Sequence, residues 1–235
     1  DLIRGAVMIL MAIDHVRVYS GVPAGGPMPA IFFTRWITHF CAPVFVLLAG
    51  TSAGLMAARK GHAELARFLV TRGVWLIFVE VFVVSTSVTF APSGIADIGG
   101  LVLATMQVIW AIGASMIVLA GLQWIGRRAC IAVGVAILMG HNILDAFWPA
   151  SSLFDQQWPL WVALHAQMAY RAGPFLFIFI YPLLPWVGVM LLGFGIAGIF
   201  ELPQHRRNAI LLRTGMALTA VFVLLRAFDR YGDPN

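Results

Sequence analysis

Seven long apolar stretches run through the chain, at about residues 2–19, 31–57, 69–90, 99–123, 129–148, 173–200 and 208–228. Each is bounded by Arg, Pro, Gly or a short polar loop. A helix that crosses a bilayer needs about 20 predominantly apolar residues, and these runs are far longer than the alternating strands of an outer-membrane barrel. The pattern predicts an all-α integral membrane protein with about seven spanning helices, part of a larger helical bundle. The first stretch is short, and the fourth is weakened by Gly99, Gly100, Gly113 and Gly121. In the sixth, Pro182 and Pro185 each remove a helix hydrogen bond, which predicts a kink. Gly188, Gly195 and Gly198 follow and allow close helix approach. Between stretches five and six, Trp148, Trp158, Trp161 and Tyr170 suggest an interfacial aromatic belt with a short helix lying on the membrane.

Composition sharpens this reading. Only 11% of the 235 residues are charged, 61% are hydrophobic, and the mean hydropathy is +0.91. A soluble domain carries about 25% charged residues, so a soluble globular protein, a disordered chain and a nucleic-acid binder are excluded. The net charge of +5 then bears on orientation. With the N-terminus in the cytoplasm, Arg4, Arg59, Lys60, Arg67, Arg72, Arg127, Arg128, Arg206, Arg207 and Arg213 lie inside. Arg17, Arg35, Arg171, Arg226 and Arg230 lie outside, giving ten basic residues against five. The same topology separates Cys41 from Cys130, so no disulfide is expected. The chain opens at Asp1 without Met and has no signal-peptide pattern. It reads as one membrane-embedded domain, residues 1–235, cut from a longer chain.

Ionisable groups within hydrocarbon are functional candidates by default. In this topology most of them fall in the outer half. Asp14, His15 and Arg17 are near the outer end of the first helix. Arg35 and His39, four residues apart, share a face of the second. Gln107 lies in the fourth, and His141 and Asp145 lie four apart in the fifth, as a site wall or a local pair. Glu80 falls near the middle of the third and reads as a structural partner for another helix. Together these groups predict a polar cavity opening to the outer side. Arg4 and His15 are eleven residues apart, close to three turns, and so share a face about 16 Å apart. That spacing suits an elongated ligand with an anionic head at Arg4 and a reactive end at His15. Asp14 is off that face and is placed to pair with Arg17, three residues on. No tight ligand spacing points to a metal, and none is expected.

Several segments resemble one family in order along the chain. They are Asp1-Leu-Ile-Arg-Gly5 with Met11-Ala-Ile-Asp-His15, then Thr34-Arg-Trp-Ile-Thr-His-Phe-Cys-Ala-Pro through Gly50, Gln107-Val-Ile-Trp-Ala-Ile-Gly113, His141-Asn142, Tyr181-Pro-Leu-Leu-Pro-Trp186 and Tyr231-Gly-Asp-Pro234. The set is similar to the catalytic domain of heparan-α-glucosaminide N-acetyltransferases, in its bacterial membrane branch. The resemblance implies a polytopic acyltransferase that takes acetyl from acetyl-coenzyme A and gives it to an amine or hydroxyl across the membrane. The loop 21–30 has no histidine, where the lysosomal member has its proposed catalytic one, so an acetyl-histidine there is not implied.

The resulting expectation is an acetyl-CoA-dependent acyltransferase of the bacterial inner membrane, acting on a cell-envelope saccharide. His15 is the base, with His39 orienting it or stabilising an oxyanion, and Asp14 completes the catalytic group. Arg4, Gln107, Arg35 and Trp186 bind the donor. Its partners are the bilayer, acyl-CoA and the saccharide, with no nucleic acid; an oligomer is compatible with the sequence. The rival expectation is a proton-coupled transporter or permease using Glu80, His15 and His39 as relay groups.

Overall fold

A computed structural model of the chain describes residues 2–21, 29–146 and 159–228. Helices α1 (Leu2–Tyr19), α2 (Pro29–Thr38) and α3 (Cys41–Ala57) come first. Helix α4 (His62–Phe78) passes through a π-turn, Val79–Val84, into α5 (Ser85–Thr89). Strand β1 (Val102–Met106) leads into α6 (Val108–Leu122), and α7 (Arg127–Gly140) ends in a 3-10 turn, His141–Ala146. Then come α8 (Pro159–Leu164), β2 (Ala169–Ala172), β3 (Phe175–Phe179), α9 (Leu183–Ile196) with a 3-10 extension to Glu201, and α10 (Gln204–Phe228).

Among the described residues, 6 helical stretches are long and apolar enough to cross a membrane: Phe33–Ala57, His62–Thr89, Val108–Ile125, Arg127–Asp145, Leu183–Glu201 and Gln204–Leu225. The seventh expected crossing is α1, 18 residues long but interrupted by Arg4, Asp14 and Arg17. The protein is a mostly helical, multi-pass integral membrane protein.

Two segments expected to be wholly helical are not. Residues 99–106 do not extend α6 backwards, because Gly99 and Gly100 both take positive φ (73° and 75°). The apolar run behind them pairs as β1 instead. In the sixth stretch, Phe175–Phe179 is a strand and helix begins only at Leu183. Pro182 is the residue that caps α9, at φ −62° and ψ 137°, and Pro185 falls in the first turn. There the missing N–H has no helical acceptor to lose, so the prolines start a helix rather than kink one. Of the expected aromatic belt, Trp148 and Trp158 lie outside the described residues. Trp161 and Tyr170 pack against buried Val162, Ala166 and Met168, and α8 is the short helix anticipated there.

The strands form one small sheet in the order β1-β3-β2, with β1 parallel and β2 antiparallel to β3. Its register pairs Val102 with Phe175 and Met106 with Phe179, while Ala172 faces Phe175 across a Gly173-Pro174 turn. Strand β1 finds hydrogen-bond partners on both sides. The Val102 N–H donates to the Pro174 carbonyl at 2.8 Å, and the Thr105 N–H donates away from β3 to Ser85 Oγ at 2.9 Å.

The helices touch backbone to backbone. A Cβ on Gly50 of α3 would sit 2.1 Å from the Met190 carbonyl oxygen of α9, and one on Gly193 would sit 2.2 Å from that of Leu47. Gly73 and Gly113 do the same for α4 and α6, and Gly134 and Gly188 for α7 and α9. Small residues drive helix association in lipid because they let backbones approach. Around these crossings lie Val46, Leu65, Leu69, Leu119, Cys130, Met190, Leu191 and Phe194, all buried. At one end Arg127 donates to the Gly54 carbonyl at 2.8 Å and pairs with Glu201 at 2.9 Å, tying α3, α7 and the end of α9 together. Cys41 and Cys130 are buried free thiols. By contrast, Leu212, Met216, Val223 and Phe228 of α10 are exposed, as side chains covered by lipid would be.

Gly50→Ala is expected to destabilise the protein by about 1–3 kcal/mol, the cost of overpacking, and so lower its melting temperature in detergent. Gly121→Ala, where a new Cβ meets nothing within 4 Å, should leave stability unchanged or slightly raised, because Ala favours helix over Gly. Equal effects at both positions would contradict the close-packed crossing.

Candidate active site

The small sheet decides where the site lies. Because β1 and β3 are parallel, both deliver the chain to the same sheet edge. The Met106 carbonyl there accepts the N–H of Ile180 at 3.1 Å and of Tyr181 at 3.2 Å. Gln107 and Tyr181 therefore emerge side by side. Gln167, just before antiparallel β2, reaches the same edge and donates to the Ile180 carbonyl at 3.1 Å. Helices α6 and α9 start at this edge, and α3 starts nearby at Cys41.

A cavity of about 410 Å³ occupies this place, lined by α1 (Met11, Asp14, His15, Arg17), α2 with the residues after it (Arg35, Thr38, His39), and the start of α3 (Cys41, Ala42). Gln107, Val108, Gln167, Ile180, Tyr181 and Trp186 close the wall. Its size falls within the roughly 300–1,000 Å³ of small-molecule sites. Of the groups expected to share a polar cavity, Asp14, His15, Arg17, Arg35, His39 and Gln107 line it, while Glu80, His141 and Asp145 do not; Trp186, expected as a donor contact, lines it too.

Arg4 is the exception among the expected site residues. It does not line this cavity, and its guanidinium donates to Ser52 Oγ of α3. Met11, one turn before His15, does line it, so the Arg4–His15 stripe of α1 reaches the cavity through its second half only. Thr38, Cys41 and Tyr181 lie within the family-like segments without a signal of their own, and Gln167 lies outside them.

Both cavity histidines are held by the same local contact. His15 Nδ1 lies 2.7 Å from the Met11 carbonyl, and His39 Nδ1 lies 2.5 Å from that of Arg35. A carbonyl only accepts, so Nδ1 carries the hydrogen in each ring. In the neutral form the lone pair is then on Nε2. Neutral His39 can therefore accept a proton or hydrogen bond but cannot donate one to an oxyanion from Nε2. Asp14 pairs with Arg17 at 3.1 Å in the expected i,i+3 geometry.

Arg17 and Arg35 line the cavity, with Asp14 against Arg17, and α3 and α9 start beside it without a side-chain cap, so their first N–H groups and helix dipoles favour electronegative ligand atoms. The Tyr181 phenol, protonated near neutral pH, presents an O–H. Trp186 lies against Tyr181, ring centres 5.0 Å apart.

Glu80 stands behind the cavity and does not line it. It is fully buried, and its Oε2 accepts the Trp110 N–H at 3.0 Å at the start of α6. This is the partner-helix role expected of it, and it places Glu80 apart from His15 and His39, with which the transporter reading grouped it. The expected His141–Asp145 pair does not form. Asp145 instead takes His165 Nε2 at 2.6 Å, and His141 stands edge-on to His165 with ring centres 5.7 Å apart. Trp110 packs on Phe179 with ring centres 5.9 Å apart rather than on the cavity. Among the described residues no group of three or more His, Cys, Asp or Glu is arranged to hold a metal ion.

No curated protein and no solved structure matches the chain. A family model does, that of the heparan-alpha-glucosaminide N-acetyltransferase catalytic domain, over residues 1–226. That span takes in every wall of the cavity, from Met11 to Trp186. The chain belongs to this family of membrane acetyltransferase-like proteins.

Proposed function

We propose that the protein transfers an acetyl group from acetyl-CoA to an amine or hydroxyl of a saccharide, in the cavity between α1, α2 and the sheet edge. The observation that carries this reading is the meeting of two imidazoles, each with Nε2 left for a proton, with Arg35, Gln107 and Tyr181 in one cavity. Acetyl-CoA supplies the acyl group activated as a thioester.

His15 Nε2 accepts the proton of the acceptor N–H or O–H as that atom attacks the thioester carbonyl carbon. Arg35 and the Tyr181 O–H supply donors for the carbonyl oxygen as it gains charge. When the C–S bond breaks, the proton on His15 passes to the departing sulfur, and the imidazole returns to its neutral form. His39 accepts a hydrogen bond from the acceptor and orients it, a role that fits its tautomer better than donation. Asp14 keeps Arg17 at the cavity wall. Transfer is direct, with both substrates bound together. Trp186 offers an apolar ring face to the donor chain or the sugar.

Arg4 and Ser52 lie outside the cavity, about 16 Å from His15 along the ideal rise of α1. They would meet the anionic end of an extended donor. In this reading that end of α1 is cytoplasmic, as the bias of the basic residues supports, and the cavity opens toward the outer face of a bacterial inner membrane. Donor and acceptor then approach from opposite sides. The acceptor is a cell-envelope saccharide.

In purified protein, His15→Ala should lower the rate of thiol release from acetyl-CoA with an amino-sugar acceptor by about 10²–10⁴-fold, the contribution of a general base. Unchanged turnover would remove His15 from the mechanism. Arg4→Ala should weaken acetyl-CoA binding about tenfold, as loss of a charged hydrogen bond does, with little effect on kcat at saturation. An unaltered donor affinity would separate Arg4 from the donor.

A further inference from the structure

A buried chain of hydrogen bonds runs from the π-turn of the third membrane helix to the cavity wall, and its direction is fixed. The Glu80 carbonyl accepts both the N–H and the Oγ–H of Ser85, the latter at 2.9 Å. The Ser85 hydroxyl has then spent its hydrogen. Its oxygen lies 3.3 Å from Thr105 Oγ1 and can only accept from it. Thr105 in turn has spent its own hydrogen. Its Oγ1 can only accept from Gln107, whose Nε2 lies 3.2 Å away.

Carbonyl and hydroxyl directions therefore settle the orientation of the Gln107 carboxamide. The NH₂ points back to Thr105 and the Oε1 is left for the cavity that Gln107 lines. The backbone of the same residues is pinned too. Ser85 Oγ takes the Thr105 N–H at 2.9 Å, and the Glu80 carboxyl accepts from Trp110 and faces the amides of Ile109 and Gln107. Glu80, Ser85 and Thr105 are 0%, 1% and 5% exposed, so water does not compete for these partners. An ordinary α-turn closes its bonds at i+4. The π-turn shifts the register to i+5 and brings Ser85 onto Glu80, and π-turns often mark functional sites.

We propose that Glu80, Ser85 and Thr105 are positioning residues that hold Gln107 with its carbonyl oxygen toward the cavity, where it accepts a hydrogen bond from an N–H or O–H of the bound substrate. The group recognised is a donor, such as an amide of the donor's pantetheine arm or a hydroxyl or amine of the acceptor. The inference rests on the acyltransferase reading for the identity of the substrates.

The test is a double-mutant cycle on the purified full chain, with KM and kcat measured for acetyl-CoA and for an amino sugar, and melting temperature recorded in parallel. Thr105→Val removes the hydroxyl at nearly constant shape. It should raise KM for one of the two substrates about tenfold, the worth of one hydrogen bond, while Thr105→Ser restores it. Gln107→Met should raise the same KM, and the double variant should be no worse than Gln107→Met alone. Should Thr105→Val fail to fold, Gln107→Met still decides, since an unaltered KM there overturns the proposal. Additive effects, or a Thr105→Ser variant as impaired as Thr105→Val, overturn it as well. A wild-type protein that releases no thiol defeats the acyltransferase reading and this inference with it. An active wild type with additive variants defeats the inference alone.

Discussion

Backbone that leaves the helix must find new hydrogen-bond partners, and the small sheet ahead of α6 and α9 is where this chain meets that demand. One side of β1 pairs with β3, and on the other a serine hydroxyl, Ser85, presented from the end of a π-turn, takes the Thr105 N–H. The consequences spread outward. The parallel pairing places Gln107 and Tyr181 together, with the Met106 carbonyl holding both residues after β3. It also lets α6 and α9 begin at one level. Three helix starts and two loops around that edge leave a polar hollow where continuous helices would have packed shut.

Beyond the sheet the molecule separates into a tight part and a looser one. Helices α3, α4, α6, α7 and α9 are drawn together by glycines that leave no room for a Cβ, with Arg127 and Glu201 closing one end. Helix α1 is attached more lightly, through Arg4 to Ser52 and Cys41 to the Val7 carbonyl, and most of its large apolar side chains are exposed. The cavity lies on the boundary between the two. A rigid wall carrying Gln107, Tyr181 and Trp186 faces the wall that carries His15 and His39. The tightly packed elements thus fix one side of the cavity, while α1 and α2 carry the other.

Much of this was legible in the sequence, for reasons that can be named. Membrane helices announce themselves by length and hydropathy, so the spanning stretches were readable within a few residues. His15, His39, Asp14, Arg35 and Gln107 were visible as candidates because an ionisable or polar group in hydrocarbon needs a purpose. What the sequence hid was pairing. Val102–Met106 and Phe175–Phe179 are apolar runs of five residues, and no local signal tells such a run from a helix when its partner is a strand about seventy positions away. The same blindness turned Pro182 and Pro185 into a kink, since their place at a helix start depends on where β3 stops. Helical periodicity gives the face that Arg4 shares with His15 but not what stands opposite it; Ser52 does. Gln167 had no signal, because its meaning comes only from the sheet edge beside it.

The most direct measurement is transfer itself across a sealed membrane. Proteoliposomes carrying the protein would receive acetyl-CoA labelled in the acetyl group on one side and an amino sugar on the other. The account predicts labelled N-acetyl sugar and free thiol in equal amounts, on opposite sides of the bilayer. Intact acetyl-CoA and unlabelled sugar, with protein shown to be folded and correctly inserted, would contradict it.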